Sequence, residues 1–300
     1  MTSNDKSFKI FASPLDSYFD VSELHITPEL LEDNLKTLAE ENQMKASKVL
    51  ENDGYFKEGK ATELIFNVCK RLSLSDDVKY VAVELFDNFM SKHITELYEI
   101  VKNSSSKEKQ VDWKSVEARI KDQAPLRALS CIQVASKLIS HYKALTASKV
   151  KRFLSSCGLQ YSVTSVVKSE MRVLRTIDYR MCITTPLTYV EMLLEVLRRN
   201  CPGLEASLVH SVTVKVLDVA YMQNFYIYQL LCESAGVEFD MKLSADMLLL
   251  ATCSIVTAAY VIDSESNDKL IEQMSLITCI EEADIIMFAT ILVKVALDVS

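Results

Sequence analysis

The chain has 300 residues, of which 49% are hydrophobic, and this is enough for one large domain or for two domains of roughly 100 to 150 residues. Only 5 glycines and 5 prolines occur, which disfavours a sheet-rich fold with many tight turns and predicts a mostly helical protein. The net charge of -8 argues against a broad surface for binding nucleic-acid phosphates.

Residues 1–26 are predicted to be a flexible N-terminal tail, because they carry scattered aromatic residues without a helical period. They contain no uninterrupted apolar run of signal-peptide length, so secretion is not expected. Thr27 and Pro28 form a helix start, with Thr27 as the N-cap and Pro28 at the first helical position. The helix that follows is expected to extend to about Leu50.

Further helical patterns follow in the first half of the chain. A pattern at 113–121 is separated by Pro125 from an almost wholly apolar one at 126–139, which is typical of a central helix. Ser75 and Asp76 start a long helix, and Gly158 can end another in a left-handed cap. The remaining predicted helices of this half are 60–72, 75–101, 146–157 and 163–177.

The second half of the chain also shows successive helical patterns. They begin after Thr185 and Pro186, a second cap and first-turn pair. The run from Met247 to Ile262 is the most membrane-like, but it falls short of the roughly 20 residues that span a bilayer. We therefore expect a buried core helix and no membrane association. The predicted helices are 186–199, 204–231 with a break or bend, 243–262, 269–278 and 281–299.

Helix stripes with apolar neighbours three or four positions away predict a buried core. Most of the 8 cysteines are expected to be buried in a reducing compartment. No phosphate-binding loop, metal-ligand spacing or cofactor motif occurs, so neither an enzyme, a cofactor nor a metal site is expected. The residues predicted to be buried are Cys131, Ala135, Leu174, Leu248 and Val256.

Three segments in one order resemble the cyclin box. They are the helical run at 129–138 ending in Ala135-Ser136-Lys137, the helix that contains Glu170, and the step Thr185-Pro186-Leu187. The resemblance implies an all-α fold of two consecutive five-helix bundles with an extra N-terminal helix. It implies a tail at 1–26, the N-terminal helix with the first box at 27–183, and a second bundle at 184–300.

The resemblance also implies that Lys137 and Glu170 bind a cyclin-dependent kinase, because cyclins use this pair to hold the backbone of a kinase segment. An ammonium offers three donors to carbonyl groups and a carboxylate accepts from amides. Both side chains are expected to face outward. The alternative is structural, since a lysine at a helix end often caps carbonyls or extends into water, and a glutamate within a helix is often simply solvated.

The chain departs from typical cyclins at the helix near residue 60. The arginine that in cyclins pairs with an aspartate of the next long helix is replaced by Glu58, so Asp87 is expected to lack its partner. Lys57, Lys60 and Ala61 occupy positions where a hydrophobic substrate-docking patch needs apolar side chains, so that patch is expected to be missing. After Lys137, Leu138-Ile139 replaces the usual acidic pair of cyclins.

These departures and the helix from Pro28 resemble a divergent, meiotic branch of the cyclin family. Its likeness implies a nuclear protein at meiotic chromosomes that promotes maturation of crossover-designated recombination sites, with a cyclin-dependent kinase or with meiotic crossover-maturation proteins as partners. One alternative is a cyclin-fold scaffold that recruits recombination factors without activating a kinase.

Another alternative is a DNA-binding cyclin fold like that of a general transcription factor. Its basic patch would comprise Lys149, Lys151, Arg152, Arg172 and Arg175. The overall acidity of the chain and the usual solvation of charged helix faces disfavour direct nucleic-acid binding.

Overall fold

The structure is a computed structural model that describes residues 27–47, 54, 56–57, 59–103, 113–140, 144–201, 203–237, 241–264 and 267–298. Within these ranges the chain forms helices and no strand, so the predicted all-α fold is confirmed. The helices are α1 (Pro28–Ser47), α2 (Gly59–Arg71), α3 (Asp76–Asn103), α4 (Trp113–Ile139), α5 (Ala147–Ser156), α6 (Val163–Thr176), α7 (Pro186–Asn200), α8 (Ala206–Met222), α9 (Asn224–Ala235), α10 (Met241–Ala245), α11 (Met247–Ile262), α12 (Asn267–Thr278) and α13 (Glu282–Asp298).

The predicted cap at Thr27 is confirmed, and the helix predicted to begin at Thr146 also starts with a threonine cap. The hydroxyl oxygens of Thr27 and Thr146 accept hydrogen bonds from backbone amides three residues later, each at 3.4 Å. Gly158, at φ +81°, lies just beyond α5 in the left-handed region that suits a C-terminal cap. Thr185 differs from the prediction, because its side chain makes no capping bond and is buried.

The expected break at Pro125 is absent, and the two helices predicted around it are one continuous helix, α4. A proline inside a helix removes one backbone hydrogen bond, which is why the sequence favoured a break there. Packing along α3 outweighs that loss. The rings of Tyr98 on α3 and Trp113 on α4 meet edge to face with centroids 5.5 Å apart, and Val116 is buried beside them.

The second half is built around α11, which packs against α7, α8, α12 and α13. Its residues from 247 to 259 are almost all buried, and Asp246 caps its first turn by accepting a 2.9 Å hydrogen bond from the amide of Leu249. The prediction of a buried core helix for this run is therefore confirmed. In the part of the chain that the structure describes, no helix is long and apolar enough to cross a membrane.

Helix α1 lies against α7, α10 and α11 in the second half. The Asn42 side chain donates to Asp246 Oδ1 at 2.8 Å and accepts from the amide of Met247 at 2.9 Å. The Tyr189 hydroxyl donates to the carbonyl of Leu38 at 3.1 Å. The predicted division into 1–26, 27–183 and 184–300 stays a prediction, and its first segment lies outside the described residues.

Helices α3 and α8 also join the two halves. The Tyr80 hydroxyl donates to Asp218 Oδ1 at 2.7 Å, and the Lys79 ammonium lies 2.7 Å from the same oxygen. One turn further along α3, Glu84 accepts a 3.0 Å hydrogen bond from the Tyr221 hydroxyl. Gly59, at the start of α2, comes so close to α8 that an added Cβ would lie 2.9 Å from the Met222 carbonyl oxygen.

The core prediction is confirmed for Cys131, Ala135, Leu248 and Val256, all of which are buried. It is wrong for Leu174, which is only partly buried, whereas Val173 beside it is 0% exposed. Neighbouring residues differ by about 100° around a helix. An apolar stripe that includes Leu174 and one that includes Val173 were therefore both compatible with an amphipathic helix. All eight cysteines are free, but only four of them are buried, fewer than expected.

Candidate functional site

The structure brings Lys137, at the end of α4, into direct contact with Glu170 in α6. The Lys137 ammonium forms an ion pair and a hydrogen bond with Glu170 Oε1. The lysine side chain is 46% exposed, whereas the glutamate side chain is 11% exposed. The expectation that both face outward is therefore correct for Lys137 and wrong for Glu170.

Glu170 is buried because α4 supplies donors for both of its oxygens. Gln133, one turn before Lys137, donates through Nε2 to Glu170 Oε2 at 3.0 Å. Residues four apart lie on the same helix face, so Gln133 and Lys137 together hold the carboxylate. Gln133 was not among the site residues predicted from the sequence, although its spacing of four residues from Lys137 was a usable signal.

Serine residues allow α4 and α6 to pack closely beside this pair. The Ser130 hydroxyl donates to Ser169 Oγ at 2.7 Å, across the contact between the two helices. At the other end, Ser136 Oγ accepts a 2.9 Å hydrogen bond from the amide of Leu145. Ser136 therefore ties the chain after α4 back to the helix and fixes the position of Lys137. His141, which the sequence placed near this end, lies outside the described residues.

Exposed apolar side chains lie around the Lys137–Glu170 pair. Leu138 and Ile139 are 37% and 43% exposed at the end of α4, and Val163 and Val167 are 39% and 42% exposed on α6. Val163, Val167 and Glu170 follow at helical spacing and share one face of α6. We call this surface the α4–α6 face, defined by Lys137, Leu138, Ile139, Val163, Val167 and Glu170. It combines a fixed ammonium with apolar area, which suits contact with a protein segment.

A second group of charged residues lies at the start of α2, where the sequence predicted an unpartnered Asp87. Backbone amides take the place of the lost arginine, because Asp87 accepts hydrogen bonds from the amides of Gly54 at 2.8 Å and Phe56 at 2.9 Å. Lys57 is buried and lies 2.9 Å from Glu84 Oε1. Burial raises the pKa of Asp87 to about 6, although the charge of Lys57 opposes the shift.

The burial of Lys57 also bears on the predicted absence of a hydrophobic substrate-docking patch. Lys57 points into the protein, so it does not occupy a surface patch, whereas Lys60 is exposed and Ala61 is partly buried. Glu58, which stands in place of the family's arginine, lies outside the described residues. The absence of a hydrophobic docking patch stays a prediction that now depends on Lys60 and Ala61.

The basic residues considered for DNA binding are divided between α5 and α6. All five side chains are exposed, as expected for solvated helix faces. Those on α5 are Lys149, Lys151 and Arg152, and those on α6 are Arg172 and Arg175.

Comparisons with known proteins agree with this architecture. Residues 29–182 match the family model for the cyclin N-terminal domain. The mouse cyclin N-terminal domain-containing protein 1 is 28% identical over 276 residues, covering 88% of this chain and 82% of the mouse protein. Its human namesake is 28% identical over 290 residues, covering 93% and 86%. Cyclin-D5-1 of rice is 32% identical over 77 residues, covering 26% and 21%.

Proposed function

This chain belongs to the cyclin family, and on that premise we propose that it binds a cyclin-dependent kinase through the α4–α6 face. We further propose that it acts in the nucleus at meiotic chromosomes, where it promotes maturation of crossover-designated sites. Cyclins are regulatory proteins that are generally not enzymes, so the activity of this chain would be expressed through its partners. The meiotic part of the proposal rests on the resemblance of the chain to the divergent, meiotic branch of the cyclin family.

The observation that carries the kinase proposal is the contact between Lys137 and Glu170. An ammonium has three donors, and Glu170 accepts one of them, so Lys137 can still donate to carbonyl groups of a partner. A carboxylate has about four acceptor sites, and the bonds from Lys137 and Gln133 leave capacity for a partner amide. In this arrangement Glu170 also positions Lys137 for its partner.

Leu138 and Ile139 support a partner contact that is more apolar and less acidic than that of typical cyclins. Their exposed apolar area would be removed from water when a partner covers the face, which stabilises a complex by roughly 25 cal/mol per Å². The acidic residues that they replace would instead attract basic partner groups. We therefore expect the affinity for a kinase to depend less on salt concentration than it would at an acid-rich interface.

A second candidate function is a scaffold that recruits crossover-maturation proteins without activating a kinase. The replacement of the acidic pair by Leu138 and Ile139 favours it, because the fold is kept while part of the usual kinase contact has changed. Direct DNA binding is the weakest candidate, since the net charge is -8 and the basic residues considered are solvated on two helices.

Affinity purification of the tagged full chain from meiotic cells tests the proposal. We expect a cyclin-dependent kinase to co-purify with the wild type and with Lys149→Ala, a control at another exposed lysine. Lys137→Ala should reduce capture about tenfold, because unpaired partner carbonyls cost about 1 to 3 kcal/mol.

The exchange variant Lys137→Glu with Glu170→Lys separates binding from folding. It can re-form the ion pair inside the protein but presents the opposite charges to a partner. We expect a folded protein by circular dichroism that captures little kinase. Equal capture by the wild type, Lys137→Ala and the exchange variant would show that the α4–α6 face does not bind the kinase. Capture of recombination proteins without any kinase would favour the scaffold.

A further inference from the structure

A cavity of about 450 Å³ lies between the C-terminal part of α3 and the N-terminal part of α4. Three arginines line it, Arg119 and Arg127 from α4 and Arg172 from α6, together with His93 from α3. Ile100 and Val116 belong to its apolar wall. We call this the arginine cavity. Arg127 lies ten residues before Lys137, or about 15 Å along the helix, so the cavity is distinct from the α4–α6 face.

The described residues supply no negative charge to the arginine cavity. Among the described residues no carboxylate lines the cavity, and none of its three arginines forms an ion pair. Arg127 is held only by neutral groups, donating to Ser169 Oγ at 2.7 Å and to Gln123 Oε1 at 2.8 Å. Arg119 and Arg172 are exposed, so their guanidinium groups are available to an anion that enters the cavity.

His93 provides a second, independent observation. Its side chain stacks on Phe89 with ring centroids 5.0 Å apart, and the residue is 8% exposed. Its Nδ1 atom is buried and has no hydrogen-bond partner among the described residues. Burial, together with the charges of Arg172 and Arg127, lowers the pKa of His93 to about 4. A buried polar atom without a partner is rare in native proteins, and its position in the wall of this cavity is compatible with a site for a polar ligand.

We propose that the arginine cavity binds a phosphorylated serine or threonine in a segment of a partner protein. The guanidinium groups match the geometry and charge of a phosphate, and the apolar wall can receive a hydrophobic side chain next to it in the segment. The basic residues of the cavity are confined to one concavity, and the chain has a net charge of -8, which favours one phosphate group over a nucleic-acid backbone or an anionic membrane. The inference is independent of kinase binding at the α4–α6 face.

Fluorescence polarisation with the full chain tests this proposal. The probe is a degenerate peptide with a central phosphothreonine flanked by a mixture of Leu, Ile, Val and Met, and the reference peptide carries threonine instead. We expect the phosphorylated peptide to bind at least about tenfold more tightly. The double variant Arg119→Gln with Arg172→Gln should lose this preference and remain folded, because both side chains are exposed. Arg175→Gln is the matched control, since Arg175 is an exposed arginine on α6 outside the cavity.

Two further measurements keep the proposal falsifiable. Binding of the phosphorylated peptide should raise the pKa of His93, measured by NMR, because a bound dianion offsets the arginine charges. No preference for the phosphorylated peptide, an equal loss in Arg175→Gln, or a His93 pKa that does not move would overturn the site. Tighter binding of a short single-stranded DNA than of the phosphorylated peptide would also overturn it, in favour of a nucleic-acid ligand.

Discussion

Two lysine–glutamate pairs connect neighbouring elements of the first half, and they differ in their exposure to water. Lys57 and Glu84 are both buried, with side chains 9% and 8% exposed, whereas Lys137 is 46% exposed above a buried Glu170. A buried charge that loses its partner is costly, while an exposed lysine can regain water. The first pair is therefore needed for the fold, and the lysine of the second pair is available to a partner.

The largest loss of stability is expected when the buried lysine is removed. We expect Lys57→Met to lower the free energy of unfolding by about 3 to 5 kcal/mol, because Glu84 keeps its charge without a cation. Lys137→Met is the comparison variant and should cost less, about 1 to 3 kcal/mol, because Glu170 also loses its cation but water can reach it through the position of the half-exposed lysine. Urea unfolding followed by circular dichroism measures both.

Replacing both partners of the buried pair sharpens the same test. Lys57→Met combined with Glu84→Gln leaves no unpaired charge from the pair, so much of the lost stability should return. If Lys57→Met and Lys137→Met prove equally destabilising, the distinction between a structural and an available pair is wrong.

The backbone beside the buried pair is also packed more tightly than elsewhere. Gly59→Ala should destabilise the protein by about 1 to 3 kcal/mol, because its Cβ would meet the Met222 carbonyl oxygen at 2.9 Å. Gly203→Ala is the control, since a Cβ there has no neighbour within 4 Å and the backbone is not left-handed. Thermal unfolding of the two variants compares them, and equal midpoints would contradict the close approach of α2 to α8.

Helix α6 contains an inward and an outward face that the sequence did not separate correctly. Val173→Ala should cost about 2 kcal/mol, because it removes buried methyl groups and leaves a cavity. Leu174→Ala should cost about 1 kcal/mol, since Leu174 is only partly buried. A larger loss of unfolding free energy in Leu174→Ala than in Val173→Ala would show that the helix is rotated from the position described.

A change in pH should also affect stability, through Asp87 next to the buried pair. Its pKa is raised to about 6, above the value of about 3.9 for an unfolded aspartate, so the folded state binds its proton more tightly. The Asp87 contribution to stability is therefore full below about pH 4 and is lost as pH rises towards 6, with a slope of at most about 1.4 kcal/mol per pH unit.

Asp87→Asn should remove this contribution to the slope. Unfolding free energies of both proteins between pH 4 and 6 measure it. The variant also loses one acceptor for the Gly54 or Phe56 amide, so only the slopes, and not the absolute stabilities, are compared. Parallel pH profiles would contradict the raised pKa of Asp87.

The start of α1 was predictable from local chemistry, as Thr27 illustrates, but the break at Asp246 within the helix predicted over 243–262 was missed. The break at Pro125 was predicted wrongly because local propensity ignores the contact between Tyr98 and Trp113, residues distant in the chain. At the candidate site, the resemblance predicted Lys137 and Glu170, but the sequence could not show that Gln133 would take one oxygen of Glu170. The partner of Asp87 was missed because backbone amides, which carry no sequence signature, supply its hydrogen bonds.

The contacts of α3 with α8 have a consequence for cooperativity. Tyr80, Lys79 and Glu84 each make a hydrogen bond or an ion pair with a side chain of the second half. A fragment that ended at residue 182, where the family match ends, would leave these polar groups and the apolar face of α2 without their cover. We therefore expect the two halves to melt in one transition, so that damage to the C-terminal half would also disable a partner face that lies wholly in the N-terminal half.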